Sequence, residues 1–356
     1  MEHSPKFGAF TRPSTTSPNL LLSFMRNLAR TALPRIRQVY RSLSYRHPIH
    51  ISTRSSSRIM TTTNQQGTTG VPAAAMFNDD EFVKMYSSAE KMTGHYGKIL
   101  VETVFRDVSD DEKLVVLDEA CGTGIVSKHL MDHLSDEAKD NLELTCADYA
   151  EAMLRSLERR IKADGWKNTK TVHCDAVDTK LPSEHYTHIT LSFGPFVFSN
   201  AKKGLDECRR MLKPGGVLAM NSWESVGWMS DIRDALATDP TLPPVPSDEE
   251  MLKTFSSDGN WNDREWISDF VSRNGFVNVE ITPIPHQTSL AGVTELMSLF
   301  QGFIMLLIKK EWSDEEKESF KKRARVAIEK YMTEKYGDGE IKWNWVALMI
   351  TAKKTA

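Results

Sequence analysis

The sequence predicts a doubly wound α/β fold built on a mostly parallel β-sheet. From residue 114 onward, short apolar segments typical of buried strands alternate with amphipathic segments typical of helices. The first segment, 114–117, is wholly apolar, as expected for a strand that helices cover on both faces. Turn residues mark the strand boundaries, at Gly122-Thr123-Gly124 and at Lys213-Pro214-Gly215-Gly216.

The local patterns place the elements in order along the chain. Asn78-Asp79-Asp80 offers a helix cap, and two helices are predicted before the sheet, over 81–88 and 90–105. Strands are predicted over 114–117, 142–147, 169–173, 188–193, 217–220, 276–281 and 343–352. Helices are predicted over 125–134, 151–163, 205–212 and 293–336, the last with a break near Trp312-Ser313-Asp314.

Charge is unevenly distributed along the 356 residues, although the net charge is only −3. Residues 1–60 hold ten Lys and Arg and one acid, Glu2, which leaves 35 Lys and Arg against 47 Asp and Glu in 61–356. Nucleic-acid binding depends on basic groups that neutralise phosphates. The acidic body therefore argues against a nucleic-acid partner and favours a small molecule.

The basic segment 1–75 is predicted to be a disordered or targeting segment followed by a linker. Its arginines and apolar residues, nearly free of acids, are typical of a mitochondrial presequence. A disordered tail is the alternative, and Met60 is a plausible true start. We expect a cytoplasmic protein, or a mitochondrial one if residues 1–59 are translated and act as a presequence.

The sequence predicts neither a metal site nor stable membrane insertion. The four cysteines, at positions 121, 146, 174 and 208, form no Cys-x-x-Cys pair. No run reaches the roughly 18 apolar residues that span a bilayer. The longest candidate, residues 297–308, contains Gln301 and Gly302 and is typical of a buried helix or a cover over the site.

Three acids follow three successive predicted strands. Asp118 precedes the turn containing Gly122 and Gly124, where a ligand can approach the backbone closely because glycine lacks a Cβ. Asp148, at the end of the second strand, can accept hydrogen bonds from ribose hydroxyls. Asp175, after the third strand, can accept one from an exocyclic amine. The spacing departs from the dinucleotide fingerprint, because Ser127 stands where its third glycine would be.

The segment Val116-Leu117-Asp118-Glu119-Ala120-Cys121-Gly122-Thr123-Gly124 resembles motif I of class I methyltransferases. Ala147-Asp148-Tyr149-Ala150-Glu151-Ala152-Met153-Leu154 resembles their acidic second motif, and Cys174-Asp175-Ala176 the third. Leu212-Lys213-Pro214-Gly215-Gly216-Val217-Leu218 resembles the stretch before strand five. The resemblance covers roughly residues 80–355. Within the superfamily, the sequence is most similar to fungal small-molecule N- or O-methyltransferases of secondary metabolism.

The resemblance implies a Rossmann-like methyltransferase domain over 76–356, with a helical N-terminal extension and seven strands, the last antiparallel. It also implies S-adenosylmethionine as the cofactor. The glycine turn would approach its methionine part, Asp148 its ribose, and Asp175-Ala176 its adenine, with Tyr149 and Met153 packing around the ring. The predicted cofactor-binding residues are Asp118, Ala120, Cys121, Gly122, Thr123, Gly124, Asp148, Tyr149, Met153, Asp175, Ala176 and Ser192.

One residue departs from the family pattern. Ala120 stands where the family usually has its first glycine, and alanine disfavours a positive φ. We therefore expect cofactor binding to be retained, and the exact geometry of the turn stays open at this point.

The predicted reaction is in-line methyl transfer to a nitrogen or oxygen of a small molecule, driven by positioning. Residues 223–266 and 293–336 are the predicted substrate cover, with Trp223, Trp228 and Met229 as candidate wall residues. Tyr86 and Thr93 are candidate cofactor contacts from the helix before the sheet. No general base is assigned, and His95, His173, His185 and His188 are interpreted as ordinary polar or core histidines.

Two alternatives remain open at this point. One is an NAD(P)-dependent oxidoreductase with a related sheet. The other is a methyltransferase-like partner subunit that binds the cofactor without catalysis.

Overall fold

The structure, a computed structural model, describes residues 77–356 except 257, 300, 301, 303, 305, 306 and 309–311. These residues lie in one compact unit, Asn64–Ala356. The predictions about segment 1–75, a presequence and a start at Met60 lie outside the described residues.

Helices and strands alternate along the described chain, as the sequence predicts. The helices are α1 (Asp80–Val104), α2 (Ile125–His133), α3 (Asp136–Asp140), α4 (Glu151–Asp164), α5 (Ala201–Met211), α6 (Met229–Ala237), α7 (Asp248–Phe255), α8 (Arg264–Arg273), α9 (Val293–Ser298) and α10 (Asp314–Tyr336). The strands are β1 (Leu114–Glu119), β2 (Leu142–Asp148), β3 (Thr169–His173), β4 (Tyr186–Ser192), β5 (Leu212–Ser225), β6 (Phe276–Leu290) and β7 (Ile341–Lys354).

The strands form one seven-stranded sheet in the order β3-β2-β1-β4-β5-β7-β6. All pairs from β3 to β5 are parallel, and β7 runs antiparallel between β5 and β6. This confirms the predicted mostly parallel sheet with an antiparallel last strand. The chain order reverses between β1 and β4, and such a switch point is where open α/β sheets bind ligands.

Three hydrophobic clusters hold the layers together. Side chains alternate across β1, so Val116 packs with α1, α2 and α4 in one cluster, here the α1-face cluster. Val115 and Leu117 pack with α5 and α8 on the opposite face, in the α5-face cluster. A third group, the helical-layer cluster, joins α6, α9 and α10 to Tyr96 and Trp343.

The segment before the sheet differs from the prediction. One continuous helix, α1, replaces the two helices predicted over 81–88 and 90–105. Asp79 caps it by accepting a 2.7 Å hydrogen bond from the Phe82 amide. No glycine or proline interrupts residues 81–93, so the serines there do not end the helix.

Strands β5 and β6 are longer than predicted. β6 continues beyond residue 281 through Pro283 and Pro285, which pair with Leu348 and Val346 of β7. Proline cannot donate to a ladder, but β6 lies at the sheet edge and needs a partner on only one side. β5 begins at Leu212 rather than at residue 217, because Leu212 already pairs with Tyr186 before a bulge.

The C-terminal helices show the predicted break. Ser313 caps α10 in a capping box with Glu316, so the new helix begins at Asp314. α10 is fixed to α6 and β7 through the buried Asp231, which accepts hydrogen bonds from Lys335, Tyr336 and Trp343. Within the described part of the chain, no helix combines the length and hydropathy needed to cross a membrane.

Candidate active site

A cavity of about 470 Å³ lies at the carboxyl ends of β1, β2 and β4, beneath the N-terminal half of α1. Its volume falls within the usual range for small-molecule sites, roughly 300–1,000 Å³. Most of the predicted site residues line it, namely Ala120, Gly122, Asp148, Tyr149, Met153, Asp175, Ala176 and Ser192. Tyr86 and Thr93 of α1 also line it.

Four predicted residues, Asp118, Cys121, Thr123 and Gly124, lie outside the cavity lining. Asp118 is buried, and its Oδ2 accepts a 2.6 Å hydrogen bond from Ser127 Oγ. Its Oδ1 accepts a 3.0 Å bond from Thr190. Burial raises the pKa of Asp118 to about 6. These contacts fix the turn to α2 and β4, so Asp118 supports the shape of the cavity without lining it.

The turn after β1 uses left-handed backbone at three positions. Ala120 has φ 52°, Gly122 φ 56° and Gly124 φ 80°. Ala120 thus adopts the strained conformation that a glycine in its place would adopt freely. A Cβ added to Gly124 would lie 2.3 Å from Leu157 Cδ1, so glycine there permits close packing of α4 against the turn.

Asp148 holds the turn and faces the cavity. Its Oδ2 accepts a 2.8 Å hydrogen bond from the Gly122 amide, and its Oδ1 a 2.8 Å bond from the Ala150 amide. Burial raises its pKa, and these backbone hydrogen bonds oppose the rise. A carboxylate has about four acceptor positions, so capacity remains for two hydroxyl donors from a ligand.

The segment after β3 forms the far wall of the cavity. Asp175 Oδ1 accepts a 3.1 Å hydrogen bond from the Val177 amide, which fixes its side chain beside the buried Ala176. Ala176 belongs to the α5-face cluster. The two residues predicted to bind adenine therefore lie on the α5 side of the cavity.

The near wall is α1, which carries Tyr86 and Thr93, the two candidate cofactor contacts predicted before the sheet. Burial raises the pKa of Tyr86 to about 12. Thr93 lines the cavity, and its Oγ1 is buried without a hydrogen-bond partner in the described part of the chain. A buried hydroxyl without a partner is costly, so a ligand atom is the natural partner.

A partly buried ion pair that the sequence did not reveal fixes α1 to the turn. Arg160 of α4 donates hydrogen bonds of 2.8 and 3.0 Å to the Glu90 carboxylate and one of 2.9 Å to the Thr123 carbonyl. Thr123 Oγ1 also donates to Glu90. We name this group the Glu90–Arg160–Thr123 cluster. No local spacing signals it, because its members are 33 to 70 residues apart.

Glu119 is a second residue that sequence reasoning missed. It lines the cavity and is 1% exposed, and its Oε2 has no hydrogen-bond partner among the residues that the structure describes. Burial raises its pKa to about 8. The sequence feature that could have identified Glu119 is its position beside Asp118 at the end of an apolar strand, because motif I accounts only for Asp118.

An aromatic wall closes the outer part of the cavity. Phe193, with φ 58°, stacks on Trp223 with ring centroids 4.1 Å apart. Tyr96 packs edge-on against both rings, and Phe196 and Phe198 line the cavity beside them. The predicted wall residues Trp228 and Met229 are instead buried in the helical-layer cluster and do not line the cavity. Their helix, α6, turns them towards α10.

Comparison with known proteins identifies the family. The family described as "Methyltransferase domain" matches residues 116–216. The acetylaranotin bis-thiomethyltransferase of Aspergillus terreus is 32% identical over 74% of this chain and 90% of its own length. The methyltransferase tpcH of Aspergillus fumigatus is 30% identical over 78% of this chain and 98% of its own. The chain belongs to the class I S-adenosylmethionine-dependent methyltransferase family.

Two further matches have lower identity. The methyltransferase ktnA of Aspergillus niger is 28% identical over 80% of this chain and 99% of its own length. A solved phosphoethanolamine N-methyltransferase 2 of Haemonchus contortus has a TM-score of 0.48 at 14% identity, over 78% of this chain and 58% of that one. Membership of the methyltransferase family sets aside the oxidoreductase alternative.

The four histidines considered from the sequence lie outside the lining of the methyltransferase cavity. His95 stacks on His286, His173 contacts the Tyr149 carbonyl, and His185 contacts Glu143. His188 is buried under Phe105, and burial lowers its pKa to about 4. Within the described ranges, no group of three or more His, Cys, Asp and Glu side chains could hold a metal ion.

Proposed function

We propose that the protein transfers a methyl group from S-adenosylmethionine to a nitrogen or oxygen of a small, apolar or aromatic molecule of fungal secondary metabolism. One observation carries the proposal. A single cavity combines an inner part lined by strand-tip acids and turn amides with an outer part lined by aromatic rings. The inner part suits a polar nucleoside, and the outer part suits a flat acceptor.

The inner cavity offers a partner for each part of the cofactor. Asp148 retains two acceptor positions for ribose hydroxyls. Asp175 and Ala176 suit the adenine, and the unpartnered Thr93 hydroxyl and the Gly122 turn suit the methionine part. When bound, the cofactor supplies a methyl group activated by a positively charged sulfur.

The protein's own contribution is positioning and the exclusion of water. Phe193 and Trp223, stacked on each other and supported by Tyr96, form a rigid surface on which an acceptor ring can lie. A fixed acceptor reaches the methyl group at a high effective concentration. An amine needs only to arrive neutral, so the reaction requires no dedicated base for such an acceptor.

A sulfur acceptor is the second candidate. The relative from Aspergillus terreus is named a bis-thiomethyltransferase, and a thiol ionises near pH 8.5 without help from a base. A thiolate would use the same aromatic wall. The choice between nitrogen, oxygen and sulfur is therefore the first task of an acceptor screen.

The full chain should be titrated calorimetrically with S-adenosylhomocysteine and separately with NAD. We expect binding of the former and no heat with the latter. Methyl-labelled S-adenosylmethionine should then be supplied with matched aromatic amines, phenols and thiols. Label in an acceptor would support catalysis over a cofactor-binding partner role, whereas binding of NAD alone would contradict the proposal.

A further inference from the structure

Glu119 lines the cavity, as Asp148 and Asp175 do, but no part of the cofactor has been assigned to it. It ends β1 and is 1% exposed, and its Oε2 has no hydrogen-bond partner among the described residues. By the alternation of β1, its side chain is on the same face as Val115 and Leu117, towards α5. Asp118 is on the other face, bound to Ser127.

The titratable groups that interact with Glu119 are acids, thiols and the phenol of Tyr186 on β4. Burial raises the pKa of Glu119 most, Asp148 of β2, Asp118 of β1 and Glu207 of α5 raise it further, and a hydrogen bond from the Ala120 backbone lowers it. Burial also raises the pKa of Cys174, after β3, and of Cys208, on α5, and Glu119 adds to both rises. Glu207 is itself engaged by Arg210, whose Nε donates to it at 2.8 Å. The surroundings therefore favour a proton on Glu119.

These neighbours also locate the carboxyl group within the cavity. Cys174 directly precedes Asp175 and Ala176, and Ala176 packs in the α5-face cluster. Tyr86 and Thr93 belong to α1, on the opposite wall. Glu119 thus lies at the end of the cavity that holds Asp175 and Ala176, away from the end suited to the methionine part.

One oxygen of this buried carboxyl group, Oε2, lacks a hydrogen-bond partner among the described residues, although the Ala120 backbone donates to the carboxyl group. An unsatisfied buried polar group is unfavourable, and an unpaired buried charge is more unfavourable still. No described residue forms a hydrogen bond with Oε2, so a ligand bound in the cavity is the remaining candidate partner. An adenine ring presents nitrogen acceptors along its edge, which a protonated carboxyl group can satisfy.

We propose that Glu119 is a cofactor-binding residue, carrying a proton that it donates to a ring nitrogen of the adenine. The inference rests on the proposed function, because it assumes that S-adenosylmethionine occupies the cavity. It adds a hydrogen-bond donor to Asp148 and Asp175, the two strand-tip acids that the proposed function already assigns to the cofactor. Ionisation of Glu119 removes the donor and places a charge against the ring, so cofactor affinity falls in alkaline solution.

Calorimetric titration of the full chain with S-adenosylhomocysteine between pH 6.5 and 9.5 tests the proposal. Glu119→Gln keeps a donor of similar shape and cannot ionise. We expect wild-type affinity to fall relative to Glu119→Gln by on the order of tenfold across this range. Taking the ratio of the two affinities cancels the titration of the ligand's own amino group. Glu143→Gln, on β2 at the far end of the sheet, is the matched control and should follow the wild type.

A second titration identifies the acceptor atom. Analogues of S-adenosylhomocysteine that each lack one ring nitrogen (1-deaza, 3-deaza and 7-deaza) should bind the wild type unequally at pH 6.5, one of them about tenfold more weakly than the others. In Glu119→Leu, that analogue and the parent compound should differ by less than twofold. This double comparison remains valid even if Glu119→Leu lowers stability.

The outcomes separate the inference from the proposed function. A pH-independent ratio of wild-type to Glu119→Gln affinity, with tight binding in both, overturns the role of Glu119 and leaves the proposed function standing. An unchanged cofactor affinity with a shifted pH profile of turnover would assign Glu119 to the acceptor and also overturn the proposal. Absence of binding in every variant would overturn the proposed function itself.

Discussion

At the scale of single residues, Asp148 both fixes the backbone of the turn and lines the cavity. Its two carboxylate oxygens hold the amides of Gly122 and Ala150, and only its remaining acceptor capacity faces the cavity. Replacing it therefore changes the turn as well as the ligand contact. Substitutions of different shape can separate the two effects.

We expect Asp148→Asn to weaken S-adenosylhomocysteine binding by about tenfold or more and to lower Tm less than Asp148→Ala does, because the amide oxygen keeps one of the two backbone hydrogen bonds. Asp148→Ala should lower both affinity and Tm, since the Gly122 and Ala150 amides lose their acceptor. Calorimetric titration and thermal unfolding measure the two effects. Equal affinity of Asp148→Asn and the wild type would show that the ribose assignment is wrong.

Ala120 offers a test of backbone strain. Its φ of 52° is unfavourable for alanine, so Ala120→Gly should stabilise the protein by about 0.5–1 kcal/mol. Ala327→Gly, in the middle of α10, is the control and should destabilise by about 1 kcal/mol. Chemical denaturation measures both. A loss of stability in Ala120→Gly would mean that the turn is not strained.

Glu119 also predicts a pH dependence of stability. The folded protein keeps its proton up to about pH 8, whereas the unfolded chain releases it near the usual value of 4.5. Its contribution is therefore complete below pH 4.5 and is lost as pH rises through 8. In the absence of ligand, the Tm of Glu119→Gln minus that of the wild type should grow by several degrees between pH 5 and 8.5, at about 2–4 °C per kcal/mol. A constant difference would contradict the raised pKa.

At the scale of elements, α1 is held against the cavity by the Glu90–Arg160–Thr123 cluster. The Arg160 and Glu90 side chains are only 21% and 13% exposed, so solvent screens their attraction weakly. The cluster links α1, α4 and the turn after β1. It therefore determines how closely α1 covers the inner cavity.

We expect Arg160→Met to destabilise the fold by about 1–3 kcal/mol and to increase amide hydrogen exchange along α1. Lys98→Met removes an exposed pair with Glu102 on the same helix and should have little effect. Mass-spectrometric exchange measures α1 in both variants. Unchanged exchange in Arg160→Met would show that packing alone holds the helix.

Sequence patterns predicted the elements whose signals are local. The acids at the strand tips were found because Asp148 ends β2 and Asp175 follows β3 by two residues, each before a helix or turn. The length of β6 was missed because its prolines are permitted only by its edge position, which depends on β7 some 60 residues later. Glu119 and the Glu90–Arg160 pair were missed for the same reason: their meaning comes from residues distant in sequence.

At the scale of the whole molecule, the two parts of the cavity rest on different cores. Ala176 belongs to the α5-face cluster, and Met153 packs in a small cluster with Val83. Phe193 and Trp223 instead pack against the helical-layer cluster through Tyr96. The Phe193–Trp223 stack of the acceptor wall is thus supported by α6, α9 and α10, whereas Phe196 and Phe198 and the cofactor part pack with the sheet and its own helices.

We expect Trp223→Ala to raise the acceptor KM by about tenfold and to change S-adenosylhomocysteine affinity less than twofold, because a stacked aromatic contact is worth about 1 kcal/mol beyond its buried area. Trp228→Phe, in the same cluster but outside the cavity lining, should lower Tm without changing the acceptor KM. Steady-state kinetics with an identified acceptor measure both. A parallel loss of cofactor affinity in Trp223→Ala would contradict the division of the cavity.

The separate support of the acceptor wall bears on how new specificities arise in such proteins. Amino-acid changes in α6, α9 and α10 reach Phe193 and Trp223 through shared packing, yet they leave the glycine turn and Asp148 untouched. In a laboratory evolution experiment selecting for a new acceptor, beneficial mutations should gather in these helices and spare α2 and α4. Mutations can therefore change which acceptor binds while the cofactor-binding residues stay the same.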